Sequence, residues 1–400
     1  MDLRRQLAIV ALVYVIEGLP MGVYTGVVGF YFASHDIALA SIGLLGWLSL
    51  AWSLKVAWSP IVERYGTRQQ WIAGALVAMA GALAAVAWLP ANPIGAALWA
   101  ALAIYCAASA TQDIAIDAYT IGLVDRENLG PANAVRTAAY RVGMIASGSG
   151  LLLLPDRFGW DAPFLAGAAL SLLLAASLAA TPAISLPPAM ERRPLEALKR
   201  WGRRPGAASV IVFVLLFRIG DKAMGPMVAP FWEQRGFSAA QYGAFAGFLG
   251  SLLFVAGGVA AGIWMARAGT VRALWATGAL ALVSNLVYAA AAARPEAGKL
   301  AVYAAGAIES ATSGAVGAVF VSYLMSICDR RYAAVEYALL SSLYAAAGAV
   351  LAGASGWITE AVGFAGYFAL TAAFAAPAFV FLTRAARWMQ PAPEIGSRAH

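Results

Sequence analysis

A stretch without a single charged side chain, from Trp71 to Gln112, constrains the fold of this chain more than any other feature. A helix needs about 20 apolar residues to cross a bilayer, so the stretch has the length of two membrane spans. Only the segment LPANPIG, residues 89–95, interrupts it, which predicts a turn between the spans. Hydrophobic residues make up 62% of the 400 residues and charged residues 12%, about half the charge of a soluble domain. Long apolar runs favour helices over a barrel, so we predict an all-α integral membrane protein.

Apolar segments between charged or Pro- and Gly-rich breaks predict twelve transmembrane helices. They lie near residues 7–32, 41–60, 71–90, 95–122, 132–154, 162–181, 207–231, 240–265, 272–293, 300–327, 334–357 and 364–386. An even number of spans puts both termini on one side of the membrane. Most Lys and Arg residues fall in loops on that side, and the opposite side has only Arg157, Arg235, Arg294 and Lys299. By the positive-inside rule both termini are cytoplasmic, which explains the net charge of +7 without nucleic-acid binding.

The two halves of the chain repeat each other. Residues 32–43 align with residues 232–243, and Asp125-Arg126 aligns with Asp329-Arg330 at nearly the same spacing, which indicates duplication. The predicted organisation is a six-helix bundle over 1–181, a Pro- and Arg-rich cytoplasmic linker over 182–206, a second six-helix bundle over 207–390 and a cytoplasmic tail over 391–400. Two six-helix repeats are the layout of the major facilitator fold, in which the solute binds between the halves near the membrane midplane.

The loop after the second span carries a charged motif. Glu63, Arg64, Gly66 and Arg68 retain most of the G-x-x-x-D-R-x-G-x-R pattern of major facilitators, although Ser59-Pro60 replaces its leading glycine. In that pattern an acid and arginines at helix ends hold the cytoplasmic gate closed. We therefore expect Glu63, Arg64 and Arg68 to act at a gate. The alternative is a turn whose charges are solvated.

Ionisable residues inside the predicted spans are the candidates for function. An unpaired charge at this depth costs about 2.5 to 3.5 kcal/mol, so each such residue needs a partner or water. The residues are Glu17, Lys55, Asp113, Asp117, Arg136, Arg141, Arg218, Asp221, Lys222, Glu309 and Glu336.

Two of these residues, Asp113 and Asp117, lie one turn apart on the same face of the fourth span. Arg136 and Arg141 begin the fifth span, and antiparallel packing is expected to bring Arg141 to one of the aspartates. The other aspartate, crowded by like charge, would then hold a proton that comes and goes with the gate. We predict that the two aspartates couple transport to protons. Alternatively, they form an ion pair that only holds two helices together, or Asp117 belongs to the gate.

The seventh span contains the charged segment FRIGDKAMGP, residues 217–226. Arg218 and Asp221 are three residues apart and can pair, which leaves Lys222 to bind an anionic solute. The first span carries Glu17 beside Gly18 and Pro20, and helix breaks in both halves point to the binding region. Close helix packing is the competing explanation for Gly22 and Gly26 of the same span. The predicted substrate contacts are Arg141, Arg218, Lys222, Glu17 and Asp221. We expect Lys55 to extend toward the cytoplasm.

Neither a cofactor site nor a metal site is predicted. The two cysteines and two histidines have no ligand spacing, and the Gly-rich residues 143–150 lack the Lys-Ser/Thr of a phosphate-binding loop. A nucleophile set is also missing, so we do not expect an enzyme.

The sequence resembles the AmpG-type permeases of the major facilitator superfamily, which share ancestry with acetyl-coenzyme A transporters. The resemblance rests on QDIAIDAYTIGL (112–123), AYRVGMIASG (139–148), EGLP (17–20), LKVAWSPIVERYG (54–66), FRIGDKAMG (217–225) and ICDRRYAAVEYALLSSL (327–343). It implies proton-driven import of anhydro-muropeptides across a bacterial inner membrane, with carboxylates at the positions of Asp113 and Asp117 required. Glu17 and Lys222 depart from the muropeptide pattern, and close relatives import siderophores instead.

Together, the residues and the resemblance predict a proton-coupled secondary transporter that imports a polar, anionic solute by alternating access. The solute would be a muropeptide-like sugar-peptide. Its partners would be that solute, protons and membrane lipid, and we expect a monomer in the inner membrane. A siderophore permease of the same family and a non-transporting membrane sensor are the alternatives.

Overall fold

A computed structural model of the chain describes residues 2–124, 128–178, 181, 201–328 and 333–389. Within these residues the chain forms helices and no strand. Eight helices are long and apolar enough to cross a membrane, and two shorter apolar helices accompany them.

Six helical segments form the first half of the described chain. They are α1 Leu3–Ala33, α2 Leu39–Leu54, α3 Arg68–Trp88, α4 Ala96–Leu123, α5 Leu129–Gly148 and α6 Asp161–Ser177. Short helices extend α2 and α5, namely Lys55–Ala57, Ser59–Arg64, Leu151–Leu153 and Pro155–Phe158. A π-helical segment, Val23–Val28, interrupts α1 close to Pro20.

Six further segments form the second half. They are α7 Ala207–Phe217 with Ile219–Gln234, α8 Ala239–Ala268, α9 Thr270–Ala293, α10 Gly298–Ile327, α11 residues 333–362 and α12 residues 364–386. Arg218 interrupts α7, because its φ of −111° and ψ of 10° leave the helical range. Gly363 separates α11 from α12 with a φ of 72°, a conformation that glycine adopts at little cost.

The twelve segments follow the twelve predicted spans in order. Most of the predicted linker, residues 182–200, lies outside the described residues, as do the tail 391–400, Asp125-Arg126 and Asp329-Arg330. The division into residues 1–181 and 207–390 stays a prediction.

Glycines let α1 approach α5 closely. A Cβ atom at Gly18 would lie 2.1 Å from the carbonyl oxygen of Tyr140, and one at Gly22 would lie 2.1 Å from Ser147 Oγ. No side chain fits in either place. Close helix packing therefore explains Gly22, as the competing explanation proposed, and it explains Gly18 as well.

The bundle has two ends, and we call the one where α1 begins and α12 ends the terminal end. At the other end the two halves are in extensive contact through α2 and α11. There the Ala40 N–H donates to the Glu360 carboxylate at 2.9 Å, and Trp47 Nε1 donates to the Val350 carbonyl at 3.3 Å. A Cβ at Gly353 would lie 1.9 Å from Trp47 Nε1, so the helices touch here. We call these contacts the seal.

Candidate functional site

Five charged side chains from α1, α2, α4 and α5 lie together in the first half, and we call Glu17, Lys55, Asp113, Asp117 and Arg136 the acidic cluster. Asp113 Oδ2 lies 3.4 Å from Lys55 Nζ, and Asp117 Oδ1 lies 3.1 Å from Arg136 Nη2. Glu17 is 9% exposed and interacts electrostatically with both aspartates. Its Oε2 accepts no hydrogen bond from the described residues. Three carboxylates thus face two cations, which leaves one negative charge without a counterion unless a proton binds.

A tyrosine completes one of the two ion pairs. The Tyr14 hydroxyl donates to Asp117 Oδ1 at 3.1 Å, and the Arg136 guanidinium lies over the Tyr14 ring, 4.7 Å from its centroid. The Asp117 and Arg136 side chains are 41% and 44% exposed, whereas the Asp113 side chain is 14% exposed. The two aspartates therefore differ in solvent exposure as well as in the cation that they pair with.

The pairing within the acidic cluster differs from the expected one. Arg141 was expected to reach an aspartate, but its Cζ lies 4.0 Å from the centroid of the Phe254 ring on α8. Arg136 pairs with Asp117 instead. Five residues rotate an α-helix by about 140° beyond one full turn, so only one of the two arginines can face α4. Lys55, expected to extend toward the cytoplasm, pairs with Asp113.

The charged segment of α7 is arranged largely as the sequence predicted. Arg218 Nη2 lies 3.8 Å from Asp221 Oδ2 and 3.5 Å from Ser313 Oγ on α10. Among the described residues, no carboxylate lies within ion-pair distance of Lys222. Lys222 packs its aliphatic chain beside Gly348 of α11, where a Cβ atom would lie 2.7 Å from Lys222 Cβ.

A cavity of about 560 Å³, which we call the central cavity, lies between α1 and α2 of the first half and α7 and α11 of the second. The charged side chains among its described lining residues are Lys55, Asp221 and Lys222, so the cavity has an excess of positive charge. Its other polar lining consists of Tyr24, Thr25, Ser49, Trp52, Ser53, Ser341, Ser342 and Tyr344. Of the predicted substrate contacts, Asp221 and Lys222 line this cavity, and Arg218 pairs with Asp221.

The other two predicted contacts lie elsewhere. Glu17 belongs to the acidic cluster, and Arg141 lies between the halves against Phe254. A second, smaller cavity of about 200 Å³ contains Glu309 of α10, a residue that the sequence placed in a span without a role. The sequence signal for Glu309 and for Lys55 was the same, a charge inside an apolar helix. Nothing in the sequence indicated that Tyr14 contacts Asp117 and Arg136, because tyrosine is common in membrane helices.

The predicted gate residues lie at the terminal end. The Arg68 guanidinium is buried and donates to the Val62 carbonyl, which ties α3 to the end of the preceding helix. Arg64 is exposed and lies 5.8 Å from the Tyr65 ring centroid. The Glu63 side chain lies outside the described part of the structure. The gate role of the three residues stays a prediction.

In the second half, an ion pair that the sequence did not reveal fastens the terminal end. Arg204 Nη2 lies 3.4 Å from Glu336 Oε1, and Arg204 also donates to the Ile327 carbonyl at 3.2 Å. These contacts join the segment just before α7 to the start of α11 and the end of α10.

In the described residues, no group of three or more His, Cys, Asp and Glu side chains could hold a metal ion.

Comparisons with known proteins agree with this architecture. The family model described as Major Facilitator Superfamily matches residues 10–294. The anhydromuropeptide permease of Escherichia coli (strain K12) is 30% identical over 382 residues, which cover 92% of this chain and 77% of that permease. The putative transporter AmpG 4 of Rickettsia conorii is 26% identical over 391 residues, covering 92% of this chain and 93% of the relative.

Solved transporters share the fold. A bacterial homolog of the human lysosomal transporter Spinster matches with a TM-score of 0.77 and 16% identity, over 98% of this chain and 99% of the other. A POT family transporter in complex with a thioalcohol-conjugated peptide matches with a TM-score of 0.76 and 12% identity, over 96% and 97%. The relatives are permeases and transporters rather than enzymes, and the predicted fold and resemblance are confirmed. The chain belongs to the Major Facilitator Superfamily, in its branch of AmpG-like permeases, and is a multi-pass membrane transporter.

Proposed function

We propose that this transporter imports an anionic, muropeptide-like solute together with protons across a bacterial inner membrane, with both termini cytoplasmic. One observation carries the proposal. Lys222, which has no carboxylate partner among the described residues, lines a cavity that both halves share. The acidic cluster of the first half provides the complementary feature, since it holds more carboxylates than cations.

The central cavity is suited to a polar anionic solute. Its volume of about 560 Å³ falls within the roughly 300 to 1,000 Å³ that is usual for small-molecule sites. Lys222 would bind the anionic group, and the Ser53 hydroxyl of α2 and the Ser342 hydroxyl of α11 would donate hydrogen bonds to further oxygens. The Tyr24 and Trp52 rings, with centroids 5.3 Å apart, offer apolar faces for a sugar ring.

The acidic cluster is suited to a proton. We assign one exchangeable proton to the three carboxylates Glu17, Asp113 and Asp117 together, because two cations can neutralise only two of them. Lys55 and Arg136 come from helices other than α4, so any relative movement of the helices would change which carboxylate is paired. Proton release would then follow the conformational change.

Alternating access is supported by the difference between the two ends. The seal joins the halves at one end, whereas the exposed Asp117 and Arg136 side chains lie toward the terminal end. In our proposal the terminal end faces the cytoplasm, and Glu63, Arg64 and Arg68 hold it closed in the other state. Each chain contains both halves of the cavity, so a monomer would suffice.

The relatives support a muropeptide rather than a siderophore as the solute, since the relative at 30% identity is named an anhydromuropeptide permease. The test is uptake of a radiolabelled anhydro-muropeptide into liposomes that contain the purified transporter. We expect accumulation with an imposed pH gradient and only equilibration after a protonophore is added. Lys222→Gln should lower uptake, whereas Lys299→Gln, a change at the start of α10 to a lysine that donates to the Gly236 carbonyl, should not. Absence of both uptake and exchange of the muropeptide would refute the proposal.

A further inference from the structure

The smaller cavity lies beside the central cavity and carries the opposite charge. It is enclosed by α1 and α5 of the first half and by α7 to α10 of the second, and Thr25 of α1 lines both cavities. Among its described lining residues Glu309 is the one charged side chain, whereas the central cavity has two lysines and one aspartate. A molecule that extends past Thr25 would therefore meet a cation in one cavity and a carboxylate in the other.

Glu309 has little compensation from the protein. The Ser310 hydroxyl donates to Glu309 Oε2 at 3.4 Å, a long hydrogen bond. No Lys or Arg of the described residues lies within ion-pair distance. Arg218 and Asp221 act on Glu309 electrostatically with opposite signs, and those two residues already pair with each other. A carboxylate kept in such surroundings gains most from a cation that arrives from outside.

Aromatic side chains surround the same cavity. Trp232, Tyr242, Phe245 and Tyr288 contribute to its lining, and the Trp232 ring centroid lies 5.3 Å from that of Phe245 and 5.6 Å from that of Tyr242. Trp232 Nε1 donates to the Tyr288 hydroxyl at 3.2 Å, which fixes the two rings. A carboxylate with aromatic rings around it is the environment in which proteins bind ammonium groups, because both attract a cation.

We propose that the smaller cavity binds the ammonium group of a solute whose anionic group is bound by Lys222 in the central cavity. The cargo is then a zwitterion, of the kind that a peptide with a free amino group and a free carboxylate provides. The inference deepens the proposed function and rests on it, since it takes Lys222 as the site of the anionic group.

The test uses alanine peptides as probes with the purified full-length transporter. Dialanine, trialanine and tetraalanine are compared with their N-acetyl and C-amide derivatives by isothermal titration calorimetry. For the peptide length that binds best, we expect acetylation and amidation each to weaken binding by about tenfold or more, because each removes one charge-assisted contact.

Two variants then separate the two ends of the peptide. Glu309→Gln should abolish the preference for a free amino group and keep the preference for a free carboxylate, and Lys222→Gln should do the reverse. Glu309→Asp, which keeps the charge, should retain part of the amino preference. Glu233→Gln, near the end of α7 and outside the lining of both cavities, is the matched control and should behave like the unmodified protein.

The outcomes distinguish this inference from the proposed function. If the unmodified protein binds free and acetylated peptides equally, or if Glu309→Gln keeps the amino preference, the ammonium site is refuted. A Glu309→Gln protein that loses only the response to a pH gradient would assign Glu309 to proton movement and would also refute it. If amidation and Lys222→Gln have no effect while the amino preference persists, the anion site in the proposed function fails instead. Failure of every peptide to bind, while anhydro-muropeptide is still taken up into liposomes, would overturn the zwitterionic cargo and leave the proposed function standing.

Discussion

The acidic cluster and the charged segment of α7 are built in opposite ways. In the acidic cluster, side chains from four helices pair across helix boundaries, as Lys55 does with Asp113. In α7, Arg218, Asp221 and Lys222 lie within five consecutive residues, and Arg218 pairs with Asp221 inside the same span. Pairs between helices change when the helices move, whereas a pair inside one span is less affected by such movement. We infer from this difference that the acidic cluster of the first half responds to a conformational change and that the charged segment of the second half holds a bound solute.

The signs of the two sites differ as well. The acidic cluster has one carboxylate more than it has cations, and α7 has one cation more than it has carboxylates. An excess carboxylate is neutralised by a proton, and an excess cation is neutralised by an anionic solute. The following predictions test this comparison, three at the two sites and one outside them.

Glu17→Gln should have the largest effect. The change removes the carboxylate without a hydrogen-bond partner at Oε2, leaving two carboxylates for two cations and no reason to bind a proton. Accumulation of solute against a gradient should fall to background in liposomes with an imposed pH gradient. Exchange of labelled for unlabelled solute across the same membranes should continue, because it needs no net proton movement. Full accumulation by Glu17→Gln would remove Glu17 from the coupling role.

Lys222→Gln should affect the other site. It should raise the KM for an anionic solute by about 10- to 100-fold, the usual worth of a charge-assisted hydrogen bond. Lys222→Arg is the matched control and should recover part of the affinity, since it keeps the charge. The dependence of uptake on the pH gradient should stay intact in both variants. An unchanged KM in Lys222→Gln would place the solute elsewhere.

Lys55→Met should lower stability more than it changes solute affinity. It leaves the Asp113 carboxylate without its cation, at a cost of about 1 to 3 kcal/mol in the free energy of unfolding, which the partial exposure of the pair reduces. The double variant Lys55→Met with Asp113→Asn should recover much of that loss, which thermal unfolding in detergent would measure. Equal unfolding temperatures of the single variant and the unmodified protein would show that the pair contributes nothing.

Arg64→Ala should have the smallest effect of the four. Arg64 shares the proposed gate role with Glu63 and Arg68, but it is exposed and lies outside both sites, so we expect its loss alone to change the initial uptake rate by about twofold or less. Arg68→Ala is the informative comparison, because Arg68 is buried and donates to the Val62 carbonyl. If Arg64→Ala lowered solute uptake as much as Glu17→Gln does, the loop after the second span, rather than the acidic cluster, would control transport.

Much of the fold could be predicted from the sequence. Long apolar runs and charge-rich loops mark the twelve segments. A chain in the bilayer core must pair its own backbone polar groups, so each apolar run of about 20 residues forms a helix. The pairing of Arg218 with Asp221 was also predictable, since the two residues are three apart in one predicted span.

The partners across helices could not be predicted. Whether Arg136 or Arg141 faces α4 depends on the rotation of α5 about its axis, and the sequence does not fix that rotation. The pairing of Lys55 with Asp113 depends in the same way on the packing of α2 against α4, and on the 3₁₀ turn in which Lys55 lies. Glu309 had a visible charge, but its cavity forms only where six helices meet.

The most direct test of the account is the proton movement that accompanies solute uptake. Liposomes that contain the purified transporter and a pH-sensitive dye would be given anhydro-muropeptide on the outside, without an imposed gradient. We predict that the interior becomes more acidic as the solute enters, and that Glu17→Gln protein shows solute exchange without acidification. Entry of the solute at the same rate with no change in internal pH would contradict the assignment of protons to the first half and solute to the second.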